Sequence, residues 1–208
     1  MRYLVFAFNI GNLGRHAGRR EPVAECLRRL NQELAPDVAV LASFRHTGNF
    51  IVDSKLPSED VAEEIARAIP AKCAVLTIED VVNLIAEVGR HRRPASKQGI
   101  RWTPGLAFRI DEGEPSGLAN QSRVKFARLT PTVTAAWKRD RLTSRGILDR
   151  ANRDGGWGGV ARDAAEAFGG LWTARSLSTV VGLLKKSGSE RQPRKVIVSG
   201  SRRRIVSL

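Results

Sequence analysis

The 208-residue sequence predicts an α+β protein built from two unlike halves. Three observations carry that expectation. Strand and helix patterns follow one another as β-α-β-β-α-β over residues 1–89. A basic stretch containing Pro and Gly, without apolar periodicity, follows at 90–100. The charge also changes sign there: of the chain's 35 Lys/Arg and 21 Asp/Glu, residues 1–89 hold 10 and 12, and residues 90–208 hold 25 and 9.

The first strand is the aromatic, apolar run Arg2–Asn9. A loop rich in Gly and Arg leads to "EPVAECLRRLNQEL", where Pro22 suits the first helical position. Val23, Leu27, Leu30 and Leu34 share one face of that helix, with Cys26 beside them, and Pro36 ends it. Val38–Phe44 is a second strand, "RHTGN" a turn, and "FIVDS" a third strand in hairpin with the second. Ser58 then caps a helix with Glu59 and Asp60 in its first turn, where the helix dipole favours acids, and with Val61, Ile65 and Ile69 on its buried face. Cys73–Ile78 is the fourth strand. This order is the ferredoxin-like split βαβ unit. A further helix, "TIEDVVNLIAEV", buries Val81, Ile85 and Val88. The expected organisation is a ferredoxin-like domain at 1–89, a basic linker at 90–100 and a basic α+β domain at 101–208.

In the second half, Leu106–Asp111, Arg123–Leu129 and Thr132–Arg139 have strand patterns, with a loop, "DEGEPSGLANQS", between the first two. "TSRGILDRAN" suggests a short helix, and "VARDAAEAF" a helix ended by Gly169 and Gly170. "SLSTVVGLLKK" is a helix with Lys185 and Lys186 in its last turn, closed by Gly188. The gap from Gly169 to Val180 is too long for a helix-turn-helix, so these two helices are expected to pack on a sheet. The tail "RKVIVSGSRRRIVSL" reads as a terminal hairpin or a basic arm. "RANRDGGWGGVARD" sets Trp157 between two pairs of glycines, which suits either an exposed recognition tip or a tight turn pinning a core indole.

With 42% apolar and 27% charged residues, the composition is that of a globular protein. No apolar run approaches the roughly 20 residues of a membrane helix. "YLVFAF" is followed by Asn9 and reads as a buried strand rather than a signal peptide. The expectation is a cytoplasmic protein with no membrane partner. Cys26 and Cys73 lie in no CxxC or Cys/His cluster, and His16, His46 and His91 are far apart. A disulfide framework and a zinc site are therefore not expected, nor is any cofactor.

"FNIGNLG", "PVAECLRRL" and "FRHTGNFIVDS" together resemble the N-terminal half of the domain of unknown function 1697 family, with Asn9, Gly11, Thr47, Gly48 and Asn49 at its loop and turn positions. Thr47 stands where that family usually has Ser. "TARSLSTV" is similar to its C-terminal signature at Thr173, Arg175, Thr179 and Val180, and departs from it at Ser176 and Leu177. The family's Arg-Ser-Lys after its glycine loop is replaced here by Gly159, Val160 and Ala161. The resemblance implies a ferredoxin-like front half and a second α+β half, and it implies no established activity.

Two sets of candidate site residues follow. Asn9, Gly11, Arg45, Thr47, Gly48 and Asn49 come to one sheet edge if the first strand pairs antiparallel with the third. Such a loop either binds an anion through backbone N–H groups or merely supplies the positive φ of a hairpin. In the basic half, Arg92, Arg93, Arg101, Arg123, Lys125, Lys138, Arg139, Arg141, Arg145, Arg153, Arg175, Arg202, Arg203 and Arg204 supply cations for phosphates, and Trp102 and Trp157 supply rings for bases. Strand alternation sets Arg123 and Lys125 opposite Val124 and Phe126. The catalytic candidates are weaker. No GxSxG, GxxxxGK[ST] or HExxH occurs, and His46 and Asp53 fall on opposite faces of their strand. Asp111, Glu112 and Glu114 read as a solvated loop before a Mg²⁺ site. The leading expectation is nucleic-acid binding, DNA or RNA, through the C-terminal half. The alternatives are an enzyme acting on a nucleotide or other phosphorylated substrate at an inter-half cleft, and an assembly subunit docking on an acidic protein.

Overall fold

The computed structural model describes residues 1–8, 28, 30–43, 48–69, 71–96, 99–111, 123–142 and 156–188. They form an α+β fold with two four-stranded antiparallel sheets. The first comprises β1 (Arg2–Ala7), β2 (Val38–Ser43), β3 (Asn49–Ser54) and β4 (Cys73–Thr77), in the order β2-β3-β1-β4. Helix α1 (Ser58–Ala68) joins β3 to β4, and α2 (Ile78–Arg90) follows β4. Residue 28 and residues 30–33 are helical ahead of β2, and Leu30 and Leu34 are buried.

Central β1 is buried on both faces. Tyr3, Val5 and Ala7 meet Leu30, Leu34, Val61, Ile65 and Ile69, while Leu4 and Phe6 are wholly buried on the other side. The expected pairing of the first and third strands is present, with Phe6 opposite Asn49 and Arg2 opposite Asp53. Edge strand β2 bulges between Val40 and Ala42. Asn31 closes that edge: its Nδ2 donates to Val40 O at 2.9 Å, and Val40 N–H donates to its Oδ1 at 2.6 Å. Those two backbone groups are therefore not open to another strand. One local expectation is corrected. Pro57 takes the cap position in place of Ser58, with φ −58° and ψ 162°, and Val61 N–H donates to its carbonyl at 3.0 Å; Ser58 is the first helical residue.

The second sheet comprises β5 (Ile100–Arg109), β6 (Val124–Arg128), β7 (Val133–Arg141) and β8 (Trp172–Ser176), in the order β6-β7-β5-β8. Helix α3 (Gly156–Phe168) joins the chain to β8, and α4 (Leu177–Lys186) follows it. Val160, Ala161, Ala164, Ala167 and Phe168 of α3 pack on Ala107, Val124, Ala136, Trp172 and Ala174. Phe168 makes edge contacts with Phe126 and a tilted contact with Trp172, with ring centroids 5.2 and 5.5 Å apart.

Three expectations change in this half. Strand β5 begins at Ile100, six residues before the predicted Leu106, because Pro104 and Gly105 interrupt the pattern without ending the strand. Pairing with β8 reaches only Gly105↔Ser176, so Pro104 lies beyond it and its missing N–H costs no bond to that neighbour. Helix α3 begins at Gly156 rather than Val160. Strand β8 lies between the two helices, where none was expected.

The two sheets have the same topology. Each has a first strand at an interior position, a hairpin of the second and third, then a helix, a fourth strand pairing with the first, and a further helix begun with no intervening loop. The junctions align in sequence: 77–85 "TIEDVVNLI" and 176–184 "SLSTVVGLL" share Val81/Val180, Val82/Val181 and Leu84/Leu183. At the first junction Thr77 Oγ1 accepts from Asp80 N–H at 3.1 Å and donates to Asp80 Oδ2 at 2.6 Å. At the second, Ser176 and Ser178 hydroxyls lie 3.0 Å apart. Contacts divide the described chain into two compact units, one containing Met1–Val82 and the residues from Thr179 to Gly188, the other containing Asn83–Ser178. The chain thus leaves the first unit within α2 and returns at the start of α4. Lys186 Nζ donates to Ser43 O at 2.9 Å, and Arg2 donates to Ser187 O, tying the end of α4 to the first sheet.

Candidate nucleic-acid interface

Antiparallel pairing collects cations that are distant in sequence. The start of β5 lies beside the end of β7, pairing Ile100↔Arg141, Arg101↔Asp140, Trp102↔Arg139 and Thr103↔Lys138. The start of β6 joins them through Val124↔Lys138, and Arg139 N–H donates to Arg123 O at 2.8 Å. The Arg93 guanidinium donates to Trp102 O. Arg93, Arg101, Arg123, Lys125, Lys138, Arg139 and Arg141 therefore gather at one end of the second sheet.

Strand alternation divides this end into two faces. On the face shared with α3, Asp140 is buried and accepts from Lys138 Nζ and from Thr103 Oγ1. It is the only carboxylate on β5, β6 and β7, so the pairing neutralises the one acid there. On the opposite face lie Trp102, Trp137, Lys125, Arg139 and Arg141. Lys125 Nζ stands 5.7 Å from the centre of the Trp102 ring, within cation–π range. His91 meets Trp137 edge-on, with ring centroids 6.2 Å apart.

Trp102 itself is buried, 7% exposed, and so offers no free ring to a base. The cause is its position: it shares a strand face with Leu106 and Phe108, both buried, while its neighbour Arg101 falls on the other face and is exposed. Exposed cations in this region are Arg92, Arg101, Arg123, Lys125 and Arg141; Arg93, Lys138 and Arg139 are half-buried. Burial, and then the nearby Arg101 charge, lower the Arg93 guanidinium below its ordinary range.

The remaining candidates stand elsewhere. Trp157 is half-buried in the first turn of α3 and packs against the core. Its ring occupies the space where a Cβ on Gly105 would stand, so Gly105 is the residue that lets the indole lie on the sheet. Gly156, Gly158 and Gly159 thus belong to a helix start, and the exposed-tip arrangement is not the one adopted. Arg175 is also internal: its guanidinium donates to Thr173 Oγ1 at 2.7 Å and to Ala174 O at 2.8 Å, and burial pulls its pKa down to about 10. Gly48 has φ 71°, and its carbonyl accepts from Ala7 N–H at 2.8 Å, as a strand connection requires. Asn49 is wholly buried at the start of β3. Asn9, Gly11, Arg45, Thr47, Arg145, Arg153, Arg202, Arg203 and Arg204 lie outside the described residues, as does the helix expected over "TSRGILDRAN".

Two features escaped the sequence reading. Asp140 organises Lys138 and Thr103, and the signal for it is the Lys-x-Asp spacing that puts Lys138 and Asp140 on one strand face. Arg109 is buried beside Asp111, with Nε 3.3 Å from its Oδ1. No group of three His, Cys, Asp or Glu side chains suited to a metal ion occurs among the described residues, and no described helix is long and apolar enough to cross a membrane.

No family model matches the chain, and no curated protein matches it. Among solved structures, it is similar to a conserved bacterial protein from Streptococcus pneumoniae at 13% identity, covering 90% of this chain and 98% of that one, with a TM-score of 0.47.

Proposed function

We propose that the protein binds nucleic acid through the phosphate backbone at the end of the second sheet formed by the start of β5, the end of β7 and the start of β6. The observation that carries this reading is the gathering of seven cations at one sheet end, where the single strand carboxylate is already engaged by Lys138 and Thr103. A surface of that kind attracts polyanions and releases their counterions on binding. The buried Trp102 shifts the reading from base stacking to backbone contact, and backbone contact carries little sequence information.

The test is the salt dependence of binding to duplex and single-stranded oligonucleotides. Five exposed cations, Arg92, Arg101, Arg123, Lys125 and Arg141, correspond to a slope of log K against log salt of roughly −4.5 on duplex DNA. The expected result is a slope at least that steep, with affinity insensitive to sequence. Binding that saturates with a mononucleotide and ignores salt would replace this reading with a small-molecule site.

A further inference from the structure

Three cations meet at one residue of the second sheet, Trp102, each through a different part of it. Arg93 bonds to the Trp102 carbonyl, Arg139 lies directly across the strand pair from Trp102, and Lys125 stands over its ring. Directly opposed residues of an antiparallel pair project to the same face, so Arg139 and Trp102 share a side of the sheet. Lys125 pairs with Trp137 and projects to that side as well. Asp140 does not: it is one residue along from Arg139 and faces α3, where Lys138 and Thr103 engage it. The Trp102 face of β5, β6 and β7 therefore carries Lys125, Arg139 and Arg141 and no carboxylate.

One atom on this face lacks what burial normally demands. Arg139 Nε is buried and has no hydrogen-bond partner among the described residues. Leaving a buried N–H of a charged group unmade is costly, and a ligand oxygen at that position would remove the cost.

We propose that Arg139, Lys125 and Arg93, gathered around Trp102, form a discrete oxyanion site that holds one phosphate group. The inference rests on reading this sheet end as a phosphate-binding surface, and it adds that the surface is not uniform. Arg139 is half-buried, so part of its side-chain freedom is already lost before it binds. The guanidinium fork suits two oxygens of a tetrahedral anion. Trp102 acts beneath the cations as a floor that positions them. The phosphate group comes either from a polynucleotide backbone or from a free phosphate, and the experiment separates the two.

Inorganic phosphate is titrated into the full chain, with chloride at equal ionic strength as reference, and a dT oligonucleotide is titrated in parallel. Phosphate should raise Tm by roughly 3 °C over chloride at ten times its Kd. Arg139→Gln should weaken phosphate binding about tenfold, the loss expected of one charge-assisted hydrogen bond. Lys125→Gln, at an exposed position that leaves folding intact, should weaken it in the same direction. Arg67→Gln, on α1, should match the unsubstituted protein. Equal responses to phosphate and chloride, or an unchanged phosphate response in Lys125→Gln, would overturn the proposal. Steep salt-dependent oligonucleotide binding without a phosphate response would remove this site and leave the broader reading standing. A phosphate response without oligonucleotide binding would do the reverse.

Discussion

The two sheets share a topology and differ in what their strands carry. β1 to β4 hold one cation, Arg2, and one acid, Asp53. β5 to β8 hold eight cations, Arg101, Arg109, Lys125, Arg128, Lys138, Arg139, Arg141 and Arg175, and one acid, Asp140. The strand order, the hairpin placement and the loop-free entry into the following helix are common to both. Backbone pairing therefore sets the architecture in either case, and side-chain charge is what distinguishes the two sheets. The difference is concentrated further: the exposed strand cations Arg101, Lys125 and Arg141 gather at one end of the second sheet, Arg128 alone is exposed at the other, and Arg109 and Arg175 are used internally, by Asp111 and by Thr173 with Ala174.

The largest expected effect comes from cutting the two units apart at the position the charge change suggests. A fragment of residues 1–89 lacks Thr179–Lys186, which belong to its compact unit, and a fragment of 90–208 lacks Asn83–Gly89, which belong to the other. Neither should show the cooperative thermal transition of the full chain by circular dichroism. A fragment 1–89 that melts cooperatively at the full-length Tm would break the account of how the units are composed.

The next effect is on the core of the second unit. Trp157→Ala should destabilise the protein by about 3 kcal/mol, at the low end for truncation of a large ring because the indole is half-buried. Gly105→Ala should be similarly harmful, since its Cβ and the Trp157 ring compete for one space. Chemical denaturation measures both. A Trp157→Ala protein of unchanged stability that loses oligonucleotide affinity would restore the exposed-tip arrangement.

Smaller effects separate the sheets by charge alone. Arg101→Gln and Arg141→Gln, both exposed, should each reduce the salt slope by about 0.9 with Tm unchanged, whereas Arg67→Gln in the first unit should leave the slope as it is. The smallest effect concerns Cys73 on β4, whose thiol burial pushes up to about 12. The folded state holds that proton more tightly than the unfolded chain, so the contribution is intact below the unfolded thiol pKa of about 8.5 and stability declines as pH rises from there toward 12. In a Cys26→Ser background, alkylation of native protein at pH 8 should be at least about a hundredfold slower than in denaturant. Equal rates would show that the β4 edge is open.

The front half is legible because its signals agree. The apolar run of β1, the hydrophobic face of Val61, Ile65 and Ile69, and the turn before Asn49 each point to the same order, and pairing of the first and third strands follows from it. The back half is less legible where local signals conflict with packing. Pro104 and Gly105 read as breakers, yet Gly105 is in the strand because Trp157 needs its missing side chain. "WTARS" runs into its helix without a turn residue, so β8 shows no boundary, although its likeness to the junction at 77–85 is present in the sequence. At the candidate interface the cations are visible in the charge split, but their grouping depends on register. Once β5 is extended to Ile100, period-two alternation places Trp102 with Leu106 and Phe108 and so accounts for its burial. The orphaned Arg139 Nε has no sequence signal, since it depends on side-chain packing across three strands.

The most direct test of the central claim compares the full chain with a variant carrying Arg101→Gln, Arg123→Gln, Lys125→Gln and Arg141→Gln, measured by fluorescence anisotropy with duplex DNA across a salt series. All four positions are exposed, so the fold should survive, which circular dichroism checks. Removing four phosphate contacts should flatten the slope of log K against log salt by roughly 3.6 and weaken binding alike on every sequence tested. A variant that is folded and keeps both the slope and the affinity of the unsubstituted protein would contradict the assignment of this sheet end as the nucleic-acid interface.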